Sequence, residues 1–220
     1  MKYLTLLAAC GLLTLGTAQA QTPAAGPNKI ALAVVMPEES DVLDTGQLTR
    51  LEGKITQLVT QSGLSASGYG TNFVVYPVLT VVESAVVEGG MQNITVTTAE
   101  LTLFVKQVEN NLVFATLSKR LKGSGSSKAQ SLGNAISQIQ VADADYQKFI
   151  AQGKQKILTY YKTECGRLIQ KAEASARMNK YDEALAGLLS IPEEVGECFA
   201  TAKARPWVFT RPTPTSTAPK

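Results

Sequence analysis

Between Ile94 and Leu121 the chain alternates apolar and polar residues, interrupted by Asn110-Asn111. No other feature constrains the fold as tightly. Alternation sends successive side chains to opposite sides of a sheet, so this stretch reads as a β-hairpin with one buried face. In the arm from Ile94 to Val108, Leu101, Leu103 and Val105 share one face, and Thr102, Phe104 and Lys106 the other. In the return arm, Leu112 to Leu121, Val113, Ala115, Leu117 and Leu121 oppose Thr116, Ser118 and Arg120. Asn110-Asn111 suits a two-residue turn with positive φ. Upstream, Phe73 to Val87 is β-branched and aromatic, and a turn at Glu88-Gly89-Gly90 leads from it into the hairpin. Its Pro77 cannot donate a ladder hydrogen bond and marks an edge or a bulge.

Helical spacing brackets this meander. Lys29 to Met36 is an apolar run stopped by Pro37 and reads as a buried strand. Asp44 or Thr45 then caps a helix whose stripe is Leu48, Leu51, Ile55, Leu58 and Val59, with Gly63 at its end. After the meander, Gly123 and Gly125 are expected to end the strand. Ser126 or Ser127 then caps a helix with the face Ala129, Leu132, Ala135, Ile136 and Ile139. A long helical pattern runs from Tyr146 towards Met178, weakened by Gly153 and Gly166. Asn179-Lys180 is a turn, and helices over Tyr181 to Leu189 and Glu193 to Ala202 follow, divided at Ile191-Pro192. The expected class is α+β: an α/β-like domain over 29–140 with an antiparallel β-meander, then a helical hairpin segment over 145–202.

The two ends have a different composition. Residues 1–20 combine Lys2, an apolar run from Leu4 to Leu15, and Ala18-Gln19-Ala20. That is the pattern of a secretory signal cut after Ala20. Leu7-Ala8-Ala9-Cys10 spells a lipobox, but Cys10 sits inside the apolar run, so a lipid anchor there is the less favoured reading. A polar Pro/Gly leader fills 21–28, and residues 203–220 form a Pro/Thr-rich tail expected to be disordered. That tail carries four basic and no acidic residues, whereas residues 21–202 hold 16 basic and 18 acidic side chains. The positive charge therefore belongs to the tail, and nucleic-acid binding by the body is not expected. No second apolar span follows the signal, so no transmembrane segment is expected after cleavage. The expected location is periplasmic or secreted.

The chain has no His, which excludes Ser-His-Asp and Cys-His catalysis and imidazole metal sites. No cofactor, metal site or catalytic residue is expected, and the chain is read as a non-enzyme. Asp41, Asp44 and Glu52 do not follow the order of an EF-hand loop. With Cys10 lost alongside the signal, Cys165 and Cys198 remain as an even pair on the first and third helices of the carboxy-terminal segment. In an exported protein that pair is a candidate disulfide. Gly123, Gly125, Ser126, Ser127 and Lys128 lie where a glycine loop opens a helix, a geometry that presents N–H groups to an anion. The spacing is not that of a Walker motif, and a strand-to-helix turn with a serine cap is the competing reading.

Two resemblances rest on longer stretches. The strand AVVMP ending in Pro37, the following helix, the hairpin VENNLVFATL and the loop and helix KGSGSSKAQSLGNAI resemble the amino-terminal α/β domain of TolB and the related CsgG/LPP20-type lipoproteins. This covers residues 29–140 and lacks the family's second strand-helix unit. Ala172 to Pro192 is similar to a tetratricopeptide half-repeat, with Tyr181 and Ala184 at its aromatic and small positions. The resemblances imply a non-enzymatic binding or assembly protein of a bacterial envelope. Its protein partner is expected at the helical segment with Tyr181 and at Trp207 and Phe209, an apolar cluster in the tail. The alternative is an anion- or small-ligand-binding protein, hydrolytic or not, using Gly123 to Lys128.

Overall fold

The structure, a computed structural model, describes residues 29–38, 41–66, 71–88 and 92–205. The signal segment with Cys10 and Ala20, the leader, the turn at Gly89-Gly90, and Trp207 and Phe209 lie outside the described residues. Four strands form one mixed sheet in the order β1 (Leu32–Val34), β2 (Phe73–Glu88), β3 (Asn93–Gln107), β4 (Val113–Gly125). β1 runs parallel to β2 across helix α1 (Thr45–Gln61), and β2, β3 and β4 are an antiparallel meander. With the helices described below, this is an α+β fold.

Every odd position of β3 from Thr95 to Gln107 is buried, and the even positions from Val96 to Lys106 are half-exposed. A one-residue slip would turn that buried set to solvent, so the pattern fixes the register. Two bulges modulate it, at Val82 in β2 and Phe114 in β4. The second overturns one expectation. It puts Phe114 and Ala115 together in the core and leaves Val113 47 % exposed. The turn also differs: five residues, not two, separate β3 from β4, and only Asn111 has positive φ, at 55°.

β1 is far shorter than its apolar run, and proline explains why. Val34 pairs with Val75, and the Val35 N–H donates to the Val75 carbonyl at 3.1 Å. The next rungs of a parallel ladder need N–H groups at Pro37 and Pro77, which have none. Pairing stops there, and β2 becomes an edge strand from Tyr76 to Glu88. Pro77 thus marks the edge, while the bulge falls at Val82.

The first three helices lie against the face carrying β3's odd positions, and the later ones pack on the third. α1 begins in a capping box in which Gln47 N–H donates to Asp44 Oδ1 (2.8 Å) and Asp44 N–H to Gln47 Oε1 (3.1 Å). Leu51, Ile55, Leu58 and Val59 are buried, as their spacing predicts. Helix α2 (Lys128–Ser137) buries Ser131, Leu132, Ala135 and Ile136, whereas Ala129 is exposed. Gln47 Nε2 donates to the Ala129 carbonyl at 2.8 Å, tying α1 to α2.

Helix α3 (Ala144–Arg177) is one unbroken helix of 34 residues, roughly 50 Å long at about 1.5 Å per residue. Gly153 does not interrupt it. A Cβ there would stand 2.9 Å from Val105, so the glycine lets the helix lie close on the sheet. Asn179, with φ 60°, turns the chain into α4 (Tyr181–Leu189). The single helix expected over Glu193 to Ala202 is two pieces, a 3-10 turn (Glu193–Val195) and α5 (Glu197–Lys203), because Gly196 takes φ 64° between them. Buried residues from Ile30 to Ala202 belong to one connected core. Within it Phe73, Phe114, Tyr160 and Tyr161 make edge-to-face contacts at 5.2–6.0 Å.

Candidate functional site

The segment from Gly123 to Lys128 is not a loop. β4 continues through Gly125, with Gly123 paired to Thr97 and Gly125 to Thr95. The expectation that these glycines end the strand is thereby corrected, and packing supplies the reason. A Cβ on Gly123 would lie 2.1 Å from the Ser131 carbonyl oxygen and 2.4 Å from the Ala135 nitrogen. On Gly125 it would lie 2.9 Å from Gln130. The glycines let the α2 backbone rest directly on β4. Only Ser126 and Ser127 separate strand from helix, and their polar groups are engaged. Gln130 N–H donates to Ser127 Oγ (3.2 Å), and Ser126 N–H donates to Gln130 Oε1 (2.7 Å). The Lys128 side chain is exposed at the end of this turn.

At the far end of the molecule, Cys165 of α3 and Cys198 of α5 are joined by a disulfide, 33 residues apart in sequence with a Cα–Cα distance of 5.8 Å. A loop of that size contributes about 3–4 kcal/mol by the chain-entropy account. Tyr181, half-buried at the start of α4, uses its hydroxyl to donate to Asn179 Oδ1 at 3.2 Å.

Three features emerge that local sequence patterns do not display. The first is an ion cluster at the start of α3. Lys119 of β4 reaches Asp143, the N-cap of that helix, at 2.6 Å and Asp145 at 2.7 Å. The hydrogen bonds to Asp143 and then Asp145 raise the Lys119 pKa. The bond from Lys119, and then the Asp145 N–H, hold the Asp143 carboxyl below its ordinary value. The cluster pins the first turn of α3 to the sheet.

The second is the bare edge of β2. Beyond Val81 it lies outside the core, with Val82 54 % and Val86 62 % exposed, and Ile94 of β3 exposed beside Val87. Its backbone has no partner strand among the described residues on the side away from β3. The third is Gln107, the last inward position of β3, 3 % exposed where the pattern Leu101, Leu103, Val105 would next supply an apolar residue. Its Nε2 donates to the Tyr161 hydroxyl at 3.2 Å. Burial pushes the Tyr161 phenol up to about 12, so it remains protonated at neutral pH. The one sequence signal for Gln107 is a polar residue directly after Leu101, Leu103 and Val105 on the inward register.

No helix among the described residues is long and apolar enough to cross a membrane. No protein-family model and no curated protein matches the chain. Among solved structures, it is similar to a candidate lipoprotein from Caulobacter crescentus CB15, with 12 % identity over 55 % of this chain and 90 % of that one and a TM-score of 0.34. A Xanthomonas campestris protein of the family DUF330 is similar over 49 % of this chain and 63 % of its own, with 18 % identity and a TM-score of 0.33. A minor lipoprotein from Acinetobacter baumannii is similar over 63 % of this chain and 94 % of its own, with 13 % identity and a TM-score of 0.31.

Proposed function

We propose that the chain is a non-enzymatic binding or assembly protein of a bacterial envelope, exported behind residues 1–20, and that a protein partner adds a strand to the bare edge of β2. The observation that carries this reading is the run from Tyr76 to Glu88, a long valine-rich edge with no described neighbour on its outer side. Natural sheets blunt such edges by shortening, covering or charging them, since unpaired N–H and C=O groups template another strand. Here Pro77 and the Val82 bulge blunt only part of it. The pattern-level resemblance to envelope α/β domains supports the same reading, and Tyr181, Trp207 and Phe209 are proposed as accessory contacts of the partner.

A photo-activated cross-linker placed at Val86 in cells that export the protein tests this, with one at the exposed Lys148 of α3 as the comparison. The expected result is an adduct from position 86 that disappears in Val82→Lys, together with slowed amide exchange over Val82–Glu88 in the complex. Adducts of equal yield from position 148, or exchange over Val82–Glu88 unchanged by the partner, would overturn the reading.

A further inference from the structure

The bare end of β2 is regular from Glu83 to Glu88, where it pairs with β3 from Thr98 back to Asn93. Glu83, Ala85 and Val87 point to the sheet face away from the helices, with the exposed Ile94 beside Val87, and Ser84 and Val86 point to the other face. From Tyr76 to Glu88 the strand holds two acidic residues, Glu83 and Glu88, and no basic one. Pairing this edge with the same edge of a second molecule would line up carboxylates on both strands with no cation between them, which disfavours that arrangement.

The sequence beyond Arg205 has the opposite character. Residues 206–220 carry Arg211 and Lys220 and no acid. Trp207, Val208, Phe209 and Thr210 are all aromatic or β-branched, Arg211 follows them, and Pro206 and Pro212 bracket the stretch. Set antiparallel to β2 with Trp207 opposite Val87, this stretch places Phe209 opposite Ala85 and Arg211 opposite Glu83 on one face. On the other face Val208 comes opposite Val86 and Thr210 opposite Ser84. These are the cross-strand pairs that stabilise a sheet: aromatic with β-branched, cation with carboxylate, valine with valine, hydroxyl with hydroxyl, and a small Ala85 where the Phe209 ring needs room. A slip of two residues in either direction breaks the pair between Arg211 and Glu83.

Within one molecule the two stretches are too far apart to meet. α3 starts beside Lys119, passes Val105 at Gly153 and reaches Phe73 at Tyr161, so it runs away from the bare end of β2. Val86 lies about 40 Å along β2 from Phe73. Arg205 is held by Glu173 at 3.3 Å, and Glu173 lies about 18 Å further along α3 than Tyr161. Val208 can be no more than about 11 Å from Arg205. We infer that Trp207 to Arg211 of one molecule adds as an antiparallel strand to Glu83 to Val87 of a second copy, so that copies join head to tail. The inference rests on the reading of that edge as a strand acceptor and names its partner. Five paired residues bury little surface, so the contact is weak and forms in concentrated protein.

Two forms of the full exported chain, mixed at high concentration, test the inference. One carries a photo-activated cross-linker at position 86, and the other is unmodified and labelled with heavy nitrogen. The expected adduct has twice the mass of the chain and joins position 86 to the labelled peptide of residues 206–211. Trp207→Ala in the labelled chain should lower its yield about tenfold, the loss of one aromatic anchor. Glu83→Arg in the cross-linking chain should lower it as well, and Arg211→Glu in the labelled chain should then restore it. Glu83 is exposed, so its replacement leaves the core intact. Adducts confined to the unlabelled chain, an adduct through any other peptide, or a charge swap that restores nothing would overturn the inference. An adduct with a different protein in exporting cells, with none between purified copies, would sink it and leave the strand-acceptor reading standing. No adduct in either setting would remove both.

Discussion

The two halves of β2 are written in nearly the same alphabet and end in opposite environments. Phe73, Val74, Val75 and Leu79 are core residues, whereas Val82, Val86 and Val87 are exposed. Intrinsic preference does not separate them, since valine suits a pleated strand in either place. Their neighbours do. The first half has β1 alongside and shares a core with Leu51, Ile55 and Leu58 of α1, while β1 ends at the two prolines before the second half begins. At the row of Ser84, β3 and β4 are covered by α2 through Thr97, Gly123 and Ser131, yet Ser84 itself is exposed. Burial in this fold is a property of what arrives to cover a strand, and β2 outruns its cover.

That contrast can be sharpened or broken by substitution. The largest effect is expected at Leu101, fully buried beside Leu79. Leu101→Ala should lower unfolding free energy by about 2–5 kcal/mol, read from the midpoint of urea denaturation. Val87→Thr on the bare half should change it by no more than about 0.5 kcal/mol. Comparable losses at both sites would mean that the distal half is buried in solution. Next in size is a pair of glycines. Gly123→Ala forces a methyl into the α2 backbone and should cost about 1–3 kcal/mol. Gly166→Ala, with nothing within 4 Å, should instead stabilise α3 by about 0.5–1 kcal/mol.

The smallest effect is expected where cover begins, at Lys119. The Asp143 carboxyl is depressed below its ordinary 3.8, so its contribution is present above that value and is lost as pH falls through the lowered one. The Lys119 ammonium is raised above 10.5, so its contribution is complete below that value and is lost only as pH rises through the raised one. The thermal midpoint of the parent should therefore exceed that of Lys119→Met near neutral pH, and the gap should narrow at about pH 2. A gap that persists unchanged in acid would show that the lysine acts through its ammonium over the Tyr146 ring, 5.1 Å from the centroid, and not through the carboxylates.

The elements with a strong period were legible from the residues. The β3 alternation, the α1 stripe with its Asp44 cap, and the limits of α4 all follow from local rules. What stayed hidden depends on partners distant in sequence. Nothing near Gly123 shows that a helix backbone will lie on it, so a glycine required by close packing reads as a strand terminator. The shortness of β1 needs Pro37 and Pro77 to be placed on adjacent strands. The Phe114 bulge, which turns Val113 outward, has no local signature. Of the candidate site residues, Cys165 and Cys198 could be paired by counting alone. Gln107 and Tyr161 could not be grouped, because they meet only when α3 crosses the end of β3.

The length of α3 has a consequence for the order of events during synthesis. Its stretch up to Tyr161, with Tyr146, Phe149, Ile150 and Ile157, shares the core of a sheet whose last strand ends at Gly125. A chain made from its amino terminus therefore completes the hairpin well before it possesses the residues that cover it. During that interval Leu101, Leu103 and Val105 have no lid, and the long edge of β2 is already formed beside them. The nascent protein is thus stickiest in the window between the emergence of residues 125 and 161, and a chaperone that shields it there would matter more than one acting later.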